Sequence, residues 1–141
     1  MREPHCADAA GVEMKLLVQC FWIGAAGFAG ALARFGVGRL VGTLWGGQFP
    51  LGTFLINVTG SFFLGWFYTF AERRQTFVPE TVRLAIATGF VGAYTTFSTW
   101  MYDSADLMGK GAALEAGTNL LGSLATGLIA VWLGIVLGRA L

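Results

Sequence analysis

Four long stretches of this chain carry no charged residue: Leu16–Ala33, Leu51–Ala71, Leu84–Tyr102 and Ala116–Gly138. Each approaches or exceeds the roughly 18–20 apolar residues that a helix needs to cross a bilayer's hydrocarbon core. No water inside that core can bond a free N–H or C=O, so such runs fold with their backbone bonds made internally, as helices. Charges and turn-formers gather between the runs. They are Gly46-Gly47-Gln48-Phe49-Pro50, then Glu72-Arg73-Arg74 with Pro79-Glu80, then Asp103, Asp106 and Lys110. At 55% hydrophobic and 12% charged over 141 residues, the chain has room for one small membrane domain. The expected fold is an all-α membrane protein of four transmembrane helices, with both termini on one side.

The first run continues past Arg34 and Arg39 into one long helix, with Gly38, Gly42 and Gly46 at four-residue spacing. That ladder reads as close helix packing, for which small residues suit lipid. Ala31-Leu32-Ala33 resembles a signal-peptide cleavage site, but the run is too long for that and polar residues precede it. Residues 1–14, with Arg2, Glu3, Asp8 and Glu13, are expected to be a disordered polar tail, and Met14 is an alternative start. The membrane domain is then 15–141. Arg2, Lys15, Arg73, Arg74, Arg83 and Arg139 fall on the terminal side, and Arg34, Arg39 and Lys110 on the other. The bias leans weakly towards termini inside.

Several function classes are excluded. A net charge of +1 offers no basic face for nucleic acid. Cys6, Cys20 and His5 are too few for a metal cluster or a disulfide framework. No Ser/His/Asp set, carboxylate pair or phosphate loop is present, so the chain is not expected to be an enzyme.

The third run holds Thr88–Asp103, TGFVGAYTTFSTWMYD, where Gly89, Gly92, Thr95, Thr96, Ser98 and Thr99 replace the usual aliphatic residues. Glycines lower helix propensity and hydroxyls compete for backbone bonds. One reading is a helix broken near mid-membrane, which marks an ion site. The other is a continuous helix whose hydroxyls bond their own carbonyls. Thr53, Asn57 and Ser61 form a neutral polar stripe on the second helix, and Asn119, Ser123 and Thr126 another on the fourth. The residues placed to line a path are Asn57, Phe97, Ser98, Thr99, Trp100 and Asn119. Amide and hydroxyl donors can replace an anion's water, and the positive edge of an aromatic ring helps. Trp100 adds an indole N–H to that donor set. A small anion is slightly favoured, although the same amides and hydroxyls also carry oxygens for a cation.

Three stretches resemble the CrcB/Fluc family of fluoride ion channels. Gly27-Phe28-Ala29-Gly30-Ala31-Leu32-Ala33-Arg34 is similar to its G-x-x-G-A-x-x-R signature. Gly52-Thr53 with Asn57, Gly60 and Phe62 is similar to G-T-x-x-x-N-x-x-G-x-F. Gly89-Phe90-Val91-Gly92-Ala93-Tyr94-Thr95-Thr96-Phe97-Ser98-Thr99 is similar to G-F-x-G-x-x-T-T-F-S-T, the most specific of the three. The resemblance implies a fluoride-selective channel that exports fluoride passively and lowers its cytoplasmic level. It implies an antiparallel, dual-topology homodimer in the cell (inner) membrane, with the third helix broken. Asn57 and Phe97 would line the pore, with Ser98 and Thr99 as a polar track and Arg34 at a vestibule. Backbone carbonyls matching Gly92 and Thr95 would hold a structural sodium ion at the dimer interface. The chain departs from the family pattern at Trp100, where a second phenylalanine is usual, at Asp103, usually Glu, and at Asn119, often Tyr.

Two other functions remain open on the residues alone. A proton-coupled exporter generally needs an embedded carboxylate, for which Asp103 is the candidate. A non-transporting assembly protein would need only the glycine faces.

Overall fold

The computed structural model describes residues 6–74 and 76–141, and among them it is helical throughout, with no strand. Helix α1 (Cys6–Leu44) is followed by the expected turn and by α2 (Leu51–Arg73). Pro50, with its fixed φ, stands at the N-cap of α2. Next, α3 (Glu80–Leu84) runs through a π-helical stretch, Ala85–Val91, into α4 (Gly92–Tyr94). The chain then leaves helical geometry at Thr95 and Thr96 and resumes as α5 (Phe97–Gly109). A turn through Gly111, at φ +76°, leads to α6 (Ala113–Gly117), a second π-helical stretch, Thr118–Gly122, and α7 (Ser123–Ala140).

Three stretches are long and apolar enough to cross a membrane: Gly11–Leu44, Leu51–Arg73 and Ala113–Ala140. The segment 80–109 is divided by the break. The helix of α1 starts at Cys6, so the part of the expected disordered tail from residue 6 to 14 is helical; residues 1–5 lie outside the described residues. Helical bonds need no partner element, and Ala9, Ala10, Val12 and Met14 put no proline or β-branched run in their way.

Glycine decides how closely the helices approach. A Cβ on Gly30 would lie 2.2 Å from the Phe90 carbonyl oxygen, and one on Gly89 would lie 2.6 Å from that of Ile23. These two positions seat α1 directly on the Ala85–Val91 stretch. Along α2 and α7, a Cβ on Gly65 would meet the Val131 carbonyl at 2.3 Å, and one on Gly134 the Phe62 carbonyl at 2.2 Å. The ladder on α1 behaves differently. Gly42 and Gly46 meet nothing within 4 Å, so the packing expected of them is not made within this chain.

Polar contacts tie several helix ends together. Lys15 Nζ lies 2.7 Å from Glu80 Oε2 and joins the start of α1 to the start of α3. That hydrogen bond, with the ammonium charge, holds the Glu80 carboxyl below the usual carboxylate range. Arg73 donates to the Arg139 carbonyl and Arg74 to the Leu141 carbonyl, so two cations meet the negative end of α7. The start of α1, the end of α2, the start of α3 and the end of α7 therefore gather at one end. Large apolar side chains such as Phe21, Trp22, Phe28, Phe35 and Trp132 point outward, the arrangement that lipid rather than water favours.

Candidate functional site

The break in the 80–109 segment is held open by one side chain from α2. Thr95 (φ −78°, ψ 162°) and Thr96 (φ −151°, ψ 118°) are extended, so the helical ladder ends with the Thr95 N–H, which still bonds the Val91 carbonyl at 2.9 Å. Asn57 takes both ends of the gap. Its Nδ2 donates to the Thr96 carbonyl at 3.0 Å, and its Oδ1 accepts the Thr96 N–H at 2.8 Å. A primary amide can do this because it carries a donor and an acceptor side by side, like a neighbouring strand's peptide group. The side chain of Thr96 then caps α5, accepting the Thr99 N–H at 3.2 Å and donating to Thr99 Oγ1 at 3.0 Å. Gly60 lets α2 reach this point, since a Cβ there would sit 2.3 Å from Thr95 Cγ2. Of the two sequence readings, the broken helix is the one the structure has. Thr95 alone follows the other pattern, donating its hydroxyl to the Val91 carbonyl at 3.0 Å.

Two cavities flank the break, and Thr96 lines both. The larger, of about 870 Å³, is polar at its base, where Arg34, Thr53, Thr99 and Asp103 converge. Thr53 Oγ1 donates to Asp103 Oδ2 at 2.7 Å, and Arg34 Nη1 lies 3.5 Å from the Thr95 carbonyl oxygen. The smaller, of about 390 Å³, is a groove lined by Asn57, Ser61, Thr95, Phe97, Trp100 and Ser123. Phe97 and Trp100 stand edge to face there, with centroids 5.6 Å apart and planes at 71°. Thus Asn57, Phe97 and Trp100 share one groove, while Arg34 and Thr99 share the other cavity. Ser98 is exposed and lines neither.

Comparison with known proteins settles the family. Residues 21–135 match the family model for CrcB-like protein, Camphor Resistance (CrcB). The chain belongs to the CrcB family. A fluoride-specific ion channel FluC 2 of Moorella thermoacetica is 43% identical over 113 residues, 80% of this chain and 90% of that one. One of the same name from Geobacillus kaustophilus is 46% identical over 112 residues, covering 79% and 86%. A fluoride-specific ion channel FluC of Acidobacterium capsulatum is 46% identical over 121 residues, covering 84% and 94%.

Trp100, where the resemblance implied a phenylalanine, has a partner of its own. The Trp100 indole N–H donates to the Asn119 carbonyl at 2.9 Å, so it is not the spare donor towards the path that the sequence suggested. Asn119, expected at the pore, is fully buried and lines neither cavity. Its amide donates to Ser104 Oγ at 2.8 Å and accepts from Ser123 Oγ at 3.3 Å.

The carbonyls at the end of α4 suit a hard cation. The Thr96 N–H bonds Asn57, so the helical bond back to the Gly92 carbonyl is not made. Thr95 offers its carbonyl to nothing closer than Arg34 at 3.5 Å. Uncharged backbone oxygens freed in this way are the donors that a small cation takes in exchange for water.

Thr96, the residue on which clamp, cap and both cavities converge, was not among the candidates from sequence. The available signal was a hydroxyl residue immediately before the run that resumes at Phe97, the usual N-cap position.

Proposed function

We propose that this chain is a fluoride-selective ion channel, built as an antiparallel, dual-topology homodimer in the cell membrane. The run Leu84–Tyr102 serves as the third of four spans, broken where Asn57 holds it. Relatives of near-equal length named as fluoride-specific channels support the ion. The observation that carries the path is the Asn57 clamp beside the aromatic pair. Asn57 Nδ2 uses one hydrogen on Thr96, and a primary amide has a second to offer to an anion in the groove that Asn57 lines. Phe97, 71% exposed, lines the same groove with its ring edge to face against Trp100. A polarised C–H edge and an amide N–H together replace water around a small anion without a fixed positive charge to trap it. Fluoride enters an acidified cell as HF, dissociates and is held; such a path lets the membrane potential drive it out.

The carbonyls of Gly92 and Thr95 would hold a structural sodium ion where two antiparallel copies meet. A bound sodium supplies a fixed positive charge at the centre of the pair, which also favours anions nearby. The vestibule residue Arg34 adds a cation at the entrance, where water screens it.

Reconstituted into liposomes, the protein should pass fluoride down its gradient with no pH gradient present, and should exclude chloride. Flux that requires a proton gradient would make it an exporter instead, and no flux at all an assembly protein. Exchange of all sodium for a bulky organic cation should abolish flux; undiminished flux would remove the sodium from the proposal. Phe97→Ile should conduct poorly on intact dimers, because an aliphatic group has no polarised edge, while Trp100→Phe should still conduct.

A further inference from the structure

The buried polar cluster beneath α5 contributes no atom to either cavity wall except Ser123, yet it is bonded to Trp100 twice. Ser104 and Asn119 are almost completely buried, at 1% and 0% exposed. Ser104 Oγ donates to the Trp100 carbonyl at 2.8 Å, and accepts the Asn119 amide at the same distance. The main-chain carbonyl of Asn119 in turn accepts the Trp100 indole N–H at 2.9 Å. Main chain and ring of one residue are thus fastened to one cluster. The clamp lies in the π-helical stretch Thr118–Gly122, a geometry often found beside functional sites.

The bond fixes which part of the indole the groove meets. The N–H points to Asn119, which the groove does not include, while the ring itself lines the groove with Asn57 and Phe97. A free indole N–H would be a true donor to a halide, and a hydrogen bond to an ion is about twice as strong as one between neutral groups. It would hold an ion that needs to leave. A carbon edge attracts more weakly.

We propose that Asn119, supported by Ser104 and Ser123, is a positioning residue that locks Trp100 with its N–H turned out of the ion path, so that fluoride meets only the carbon edge of the ring. The proposal rests on the groove beside Asn57 being that path.

The test uses full-length dimers in nanodiscs, with the Trp100 indole 15N–1H resonance assigned by its loss in Trp100→Phe. In the parent protein that resonance should not move as sodium fluoride is added. Asn119→Ala keeps the main-chain acceptor but removes the amide bonds to Ser104 and Ser123 that fix it, so the resonance should shift before fluoride is added, then respond to fluoride, and liposome flux should fall roughly three- to ten-fold, the scale of about one hydrogen bond. A parent resonance that follows fluoride overturns the proposal, as does Asn119→Ala with parent resonance and flux. A shifted resonance with unchanged flux also overturns it, since burial alone would give that result. Should Asn119→Ala fail to fold, replacing the Trp100 indole by benzothiophene removes the N–H and spares the cluster. Flux should stay near the parent rate, since fluoride already meets only carbon there; a fall of roughly ten-fold or more overturns the proposal, because the N–H would then be serving the ion. If Phe97→Ile passes fluoride at the parent rate, the groove is not the path, and that result is independent of the resonance.

Discussion

The seam between α2 and α7 and the break at Thr95–Thr96 solve opposite problems with the same helix. Along the seam, Gly65, Gly134 and Gly138 present bare backbone, and carbonyls of the facing helix come within what would be a Cβ radius. At those glycines the contact is van der Waals, and each helix keeps its own backbone ladder. At the break, backbone groups have no helical partner, and α2 lends a side chain that imitates one. The difference shows that in this molecule small residues determine where helices touch, and one amide determines where a helix is allowed to stop. Rigid support and polar opening sit about two turns apart on α2, at Gly65 and Asn57.

The sharpest way to break that comparison is to fill the seam. Gly134→Val drives carbon into the Phe62 carbonyl and the Trp66 backbone nitrogen, neither of which can turn aside. A cost on the order of 3 kcal/mol or more is expected, with loss of folded protein in size-exclusion chromatography before any effect on selectivity. A well-folded, conducting variant would show that the seam is looser than the distances imply.

Asn57→Asp attacks the other region. The shape is kept, but the donor to the Thr96 carbonyl becomes an acceptor, and a negative charge faces the groove when it ionises. Fluoride flux should fall roughly ten- to a hundred-fold, the range of one hydrogen bond to a charged group, with the seam and the protein's assembly retained. Normal flux would reduce Asn57 to a structural clamp.

How much of this contrast the sequence revealed depends on the range of the interaction. The break was legible because its cause is local: glycine and hydroxyl residues crowd one apolar run between Gly89 and Thr99. Asn57 was legible as a polar residue in need of a partner, but not that the partner was a backbone 39 residues away. The glycine contacts were less accessible still. Spacing of four marks Gly134 and Gly138, which do carry close approaches, as readily as Gly42 and Gly46, where an added Cβ would meet nothing within 4 Å, and it passes over Gly30 and Gly65. Spacing reports a helix face and says nothing of what lies opposite it. Asn119 lies buried off both cavities for the same reason. A one-faced polar stripe can turn inwards to Ser104 as readily as towards a path.

The smallest effect expected lies outside both regions. Glu80→Gln removes the Lys15 contact at an exposed helix end, and stability at neutral pH should be unchanged within error. With the carboxyl held below its ordinary range by Lys15, whatever the pair contributes is present above the unfolded value and disappears as acid protonates it. A thermal midpoint that fell at neutral pH would promote this contact from ornament to anchor.

The length of α1 sets a depth scale for the rest. At 39 residues it measures about 58 Å, nearly twice the roughly 30 Å thickness of hydrocarbon. One waterline lies where Lys15 and Glu80 keep their charges hydrated. About 28 Å further along the axis comes Arg34. The guanidinium therefore stands near the opposite waterline, and the last turns of α1, with Trp45 and Phe49 beyond them, project into the headgroups as an aromatic collar. An ion entering beside Arg34 would still be wet, and its dehydration would begin only below that level, at the shared wall formed by Thr96.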